Sequence, residues 1–126
     1  MKSSSTLTYL FLVLAATSQY LHMTTHAVDT FSCSGSTFCS GLAQSDFDAA
    51  RRQIQPENRY FTGGNKGSTG VCSGHCGLLV SGSNCDLTGN EMITAFNELR
   101  SRNCQKCGVK TYDDGCKFKA DYVTGC

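Results

Sequence analysis

The chain has 126 residues, with 11 Lys and Arg, 10 Asp and Glu, nine Cys and no Trp, for a net charge of +1. That balance excludes whole-molecule attraction to nucleic acid or to an anionic membrane, so any electrostatic function has to come from a local patch. The length accommodates one domain with a modest core, and the cysteine density is that of a disulfide scaffold.

At the N-terminus, Met1 and Lys2 give a short positive start and residues 7–16 form an apolar run. The run has the length of a signal-peptide core and is too short to span a bilayer. Thr25 and Ala27 flank His26 with small residues, so residues 1–27 are expected to be a signal peptide cleaved after Ala27, with a site near Ala16 as the alternative. Cleavage removes Lys2 and no acidic residue, which leaves a mature chain of net charge zero. Residues 28–126 are then a single secreted, extracellular domain in an oxidising compartment, with no stable membrane insertion and no nucleic-acid partner expected.

The first helix is expected over residues 45–54. Ser45 is placed as its N-cap with Asp48 three residues on, Phe47, Ala50 and Ile54 recur at helical spacing, and Pro56 stops it. Arg51 and Arg52 read as its solvated face. Strand character follows at 58–62, 68–73 and 76–82, with Gly63-Gly64-Asn65 as a turn. The second helix opens on Thr88 with Glu91 completing a T-x-x-E box, and Met92, Phe96 and Leu99 form its core stripe. Arg100 and Arg102 at its end suit the helix dipole. Two further strands are expected at 108–112 and 116–123, separated by Asp113-Asp114-Gly115. In the last one Phe118, Ala120 and Tyr122 alternate with Lys117, Lys119 and Asp121, the period of a half-buried antiparallel strand. The fold class is α+β: a disulfide-stapled α/β sandwich, an antiparallel sheet with two helices on one face.

Residues 104–107 form a C-x-x-C that reads as a redox dithiol, half a zinc site, or two anchors of a disulfide framework. A redox dithiol starts a helix that lowers its first thiol's pKa, whereas Cys104 and Cys107 follow one. For zinc, Cys72, His75 and Cys76 stand close together and Cys104 and Cys107 would complete a set, but extracellular thiols oxidise before they meet zinc. Disulfides remain, with no metal or cofactor. Nine cysteines is an odd number, so at least one thiol is free, shared with another chain, or lost in processing. Catalysis is not expected: His75 is the mature chain's only base of its type, no serine elbow or paired carboxylates appear, and glycine-rich 62–70 lacks the G-K-[ST] order of a phosphate loop.

The cysteine order carries a resemblance: FSCSGSTFC near the start, GVCSG in the middle, SNCDLTGNEM entering the second helix, NCQKCG after it, and a terminal ADYVTGC. Over residues 31–126 this resembles the family of the virally encoded smut-fungus killer toxin, the calcium-channel-blocking type, whose relatives are secreted by fungi and mosses. The resemblance makes 28–126 a killer-toxin-like domain and implies bridges Cys33–Cys104, Cys39–Cys107 and Cys72–Cys126. If the strand bearing Cys72 and the last strand are antiparallel neighbours, their register also brings Cys85 near Cys116. Cys76 is then left as the free thiol. Two cysteines of the family pattern are absent, one in the first helix region and one at about Ile93.

As function, the resemblance implies a secreted antifungal toxin, a monomer that inhibits competing cells by binding a cell-surface protein target, a calcium channel in the prototype. Lys66, Lys106, Lys110, Lys117 and Lys119 are the candidate target-binding residues, each of them equally an ordinary solubilising lysine. The lysine on which the prototype depends, two residues before its central cysteine, is Gly70 here. The alternative is a non-toxic interaction or development-associated module on the same scaffold.

Overall fold

The structure, a computed structural model, describes residues 28–64 and 67–126. The signal-peptide expectation for 1–27 and the candidate Lys66 lie outside the described residues. In chain order the elements are β1 (Thr30–Ser32), a 3-10 turn (Thr37–Gly41), α1 (Gln44–Gln53), β2 (Arg59–Phe61), β3 (Gly70–Ser73), β4 (Cys76–Ser81), β5 (Asp86–Thr88), α2 (Gly89–Ser101), β6 (Gly108–Thr111) and β7 (Lys117–Tyr122). A five-stranded antiparallel sheet has the order β1-β6-β7-β4-β3, and β2 pairs with β5 in a separate two-stranded sheet.

Both helices pack on one face of the large sheet. Antiparallel partners point the same way, so the registers Val80↔Phe118 and Leu78↔Ala120 align four apolar side chains toward the helices. They meet Phe47 and Ala50 of α1 and Met92, Ala95, Phe96 and Leu99 of α2 in one buried cluster. Each large side chain in it contributes about 1.5–3 kcal/mol through burial. The α+β architecture expected from the periodicities is thus the one the chain adopts.

The second helix starts where its capping box places it: Thr88 Oγ1 accepts from Glu91 N at 3.1 Å, and Thr88 N donates to Glu91 Oε1 at 3.2 Å. The first does not start on Ser45. Its N-cap is Ala43, with no side-chain cap, and the Asp46 amide donates to the Ala43 carbonyl at 3.1 Å. Ser45 therefore sits inside the first turn. The core stripe of Phe47 and Ala50 decides the helix phase, and the cap is the weaker determinant.

Four disulfides close the structure: Cys33–Cys104, Cys39–Cys107, Cys72–Cys126 and Cys85–Cys116. Their sequence separations run from 31 to 71 residues, so each removes about 3–4.7 kcal/mol of freedom from the unfolded chain in the loop-entropy account. Four such bridges in so small a domain are typical of extracellular proteins. The strand bearing Cys72 is not, however, a neighbour of the last strand. β3 is an edge strand, with β4 between it and β7. It is the β4–β7 ladder, ending at Ser81↔Lys117, that brings Cys85 and Cys116 together just beyond its last rung.

Candidate functional site

The loop that follows α2 is fixed from both sides. Cys104 and Cys107 anchor the N-terminal segment through their bridges, and Arg100 Nη1 donates to the carbonyls of Cys104 and, at 3.2 Å, Lys106. The Arg100 guanidinium also lies 4.5 Å from the Phe96 ring centroid. Arg100 is thus a structural bracket and not a solvated end charge. With eight sulfurs committed to bridges, neither a zinc set around Cys72 and Cys104 nor the near approach of Cys39, Cys107 and Asp121 offers thiolate ligands. Cys76 is free and fully buried; burial, and secondarily Asp46, pushes its thiol above the ordinary value against a smaller opposing effect of Arg100.

The candidate lysines are dispersed. Lys110 is only 7% exposed and cannot serve as a surface charge. Its position corrects the expectation: it pairs across the sheet with Phe118, whose side points into the core, so its stem runs under α2 and its Nζ reaches Glu98 at 2.7 Å and Asp29 at 3.5 Å. Lys106 Nζ donates to the Ser40 carbonyl at 2.5 Å. Lys117 and Lys119 remain, projecting from β7 on the sheet face opposite the helices, Lys117 exposed and Lys119 3.6 Å from Asp121.

Gly70 faces that same side. It pairs with Leu79, which pairs with Lys119, so the three form one cross-strand row. A Cβ on residue 70 would overlap the backbone carbonyl oxygen of Leu78. The strand packs here only because the side chain is missing.

An open cavity of about 320 Å³ lies between α2 and β6, lined by Asn90, Glu91, Thr94, Lys110 and Tyr112. The Tyr112 hydroxyl is buried there without a hydrogen-bond partner. Burial, then the carboxylates of Glu91, Glu98, Asp29 and Asp114, push its phenol well above the ordinary value. At the other end of the sheet stand Phe38, Tyr122 and His75, with ring centroids 4.9 Å apart for Phe38 and Tyr122 and 5.5 Å for His75 and Tyr122. Neither Phe38 nor this grouping has a sequence signal, since its members come from a 3-10 turn, a strand end and a hairpin turn.

Together these features define a small disulfide-stapled α+β domain with an open cavity of mixed charge between α2 and β6. Residues 31–126 match the model of the meiotically up-regulated gene family, and the chain belongs to that family. No curated protein matches it in sequence. Among the described residues, no helix is long and apolar enough to cross a membrane.

Proposed function

We propose that the chain is a secreted growth-inhibiting protein of the killer-toxin-like type, which binds a protein target on the surface of competing cells, a calcium channel being the target class. One observation carries this reading: Lys117 and Lys119 stand in fixed positions on an uncovered sheet face of a scaffold closed by four bridges. A rigid framework presents charge to an acidic channel mouth with little ordering cost on binding. Gly70 holds the place of the prototype's lysine and has no room for a side chain, but Lys119 presents an ammonium on the same face in the same row.

A second reading is a non-toxic, development-associated interaction module. The glycine at position 70 and the family's meiotic description both favour it. Applying the purified protein to fungal cells, with and without added calcium, separates the two. Inhibition relieved by calcium supports the channel-blocking reading, inhibition indifferent to calcium keeps the toxin and removes the channel, and no inhibition of any strain leaves the module.

A further inference from the structure

A second cavity, of about 220 Å³, opens between the 3-10 turn and the loop that follows α2. Its walls are the bridges Cys33–Cys104 and Cys39–Cys107 together with Ser40, Asn103, Gln105 and Lys106, so covalent links from two directions fix its shape. The hydrogen bonds around it divide unevenly. Its acceptors are consumed by the chain itself: Arg100 Nη1 donates to the Cys104 and Lys106 carbonyls, Lys106 Nζ donates to the Ser40 carbonyl at 2.5 Å, and Gln44 Nε2 donates to Gln105 Oε1 at 3.4 Å. Its donors are not consumed. Lys106 has three N–H groups and spends one on Ser40, Gln105 has its oxygen engaged and its NH2 group left over, and Asn103 and Ser40 add an amide and a hydroxyl.

The charge is as one-sided as the hydrogen bonding. Among the described residues no acidic side chain lines the cavity, and Lys106 has no carboxylate partner. Asp121 Oδ1 comes within 3.4 Å of Cys39 Sγ, but that carboxylate accepts from the Ser36 and Tyr122 amides and lies 3.6 Å from Lys119. The carbonyls at the end of α2, which would repel an anion, are turned to the chain's own amides: Leu99 accepts from Arg102 and Cys104, and Arg100 accepts from Asn103. Spare donors around one unpaired ammonium suit an oxyanion. A single ammonium balances the one charge of a carboxylate, whereas a phosphate brings up to two. The cavity has room for one such group while its carrier stays outside, where Phe38 stands 64% exposed on the same turn. A free small acid would gain that one contact alone; a polypeptide adds the neighbouring surface.

We propose that the cavity between the two N-terminal bridges binds a carboxylate of an acidic polypeptide segment, with Lys106 Nζ as its charge partner and the side-chain amides of Gln105 and Asn103 as orienting donors. The site shares no residue with the lysine pair of β7 and does not depend on growth inhibition. The test is titration of isotope-labelled protein with a hexaglutamate peptide, read from the NMR amide resonances, beside parallel titrations with N-acetylglutamate and inorganic phosphate. The peptide is expected to give saturable shifts at residues 103–107, and the two small anions should bind about tenfold more weakly. Lys106→Ala should weaken peptide binding about tenfold, and Lys106→Arg, which keeps the charge, should retain it. Gln105→Glu keeps an acceptor for Gln44 but sets a carboxylate in the cavity wall, so it should weaken binding as well, and it serves as the decisive variant if Lys106→Ala disturbs the turn. Peptide shifts that do not saturate or that fall on β7 instead overturn the proposal. So do phosphate or N-acetylglutamate binding as tightly as the peptide, and undiminished peptide binding by both Lys106→Ala and Gln105→Glu.

Discussion

Lys110 Nζ and Glu98 Oε1 lie 2.7 Å apart beneath the second helix, with Asp29 Oδ2 a further partner at 3.5 Å. The ammonium is also within 4.7 Å of the Tyr112 ring centroid and 5.4 Å of that of Phe31. Its side chain is 9% exposed while the carboxylates are about a third exposed, so the pair stands between a surface and a buried ion pair. Lys110→Ala should therefore cost about 2 kcal/mol, less than the full penalty of breaking a buried pair. Lys110→Met should cost less, because the methionine stem keeps the packing. Urea unfolding checks both, and an alanine variant as stable as wild type contradicts the account.

Gly70→Lys, the change that would restore the prototype's lysine, should unfold the protein more easily instead of creating a toxin. The Cβ has to displace the Leu78 carbonyl in the β3–β4 ladder, a strain on the order of 2–4 kcal/mol. Gly70→Ala should show nearly the same loss, since the first carbon causes the clash. Melting curves for the two variants that overlay wild type would refute this.

Tyr112 makes stability sensitive to alkali. Its phenol is pushed above the ordinary value, so the folded chain keeps a proton that the unfolded chain releases above a pH of about 10. The unfolded state then binds fewer protons, and stability falls as pH rises through that range. Tyr112→Phe should flatten the fall. At neutral pH it should be neutral or slightly stabilising, because it removes a buried hydroxyl with no partner. Unfolding free energies measured across the alkaline range decide the matter.

Cys76 should resist alkylation in the folded protein and react once denaturant is added, yielding one thiol per chain. Cys76→Ala should leave the four bridges intact and cost about 1 kcal/mol of packing, with Cys76→Ser costing more because it buries a hydroxyl. Peptide mapping that finds Cys76 in a mixed disulfide would contradict the pairing.

Where several signals agree, the sequence already contains the fold. Strand β7 was legible because Phe118 and Ala120 alternate with lysines, and α2 because its cap and its core stripe point to the same start. Strands β1 and β5 were not: Thr30–Ser32 and Asp86–Thr88 each carry one large apolar residue, against the adjacent aromatic pair of β2, and they exist through pairing with β6 and β2. Lys110 was misplaced for a related reason. A lysine in a four-residue strand carries no sign of which face is covered, and the structure buries it only because Glu98 and Asp29 are brought to it from other elements. The aromatic row was invisible because Phe38, Tyr122 and His75 are joined by topology and not by spacing.

The growth-inhibition reading stands or falls on the lysines of β7. Lys117 is exposed and Lys119 is partly screened by Asp121, so their removal should leave stability within about 0.5 kcal/mol of wild type. A charged target is different: two ammonium groups fixed on one face raise the encounter rate with an acidic surface, and that contribution weakens with salt. Lys117→Ala combined with Lys119→Ala should therefore abolish or strongly reduce inhibition while the melting curve is unchanged. The conservative pair of arginine substitutions should restore inhibition, because the requirement is for positive charge at those positions. Full inhibition by the double alanine variant would show that this face is only a solvated surface and that the target is met elsewhere on the molecule.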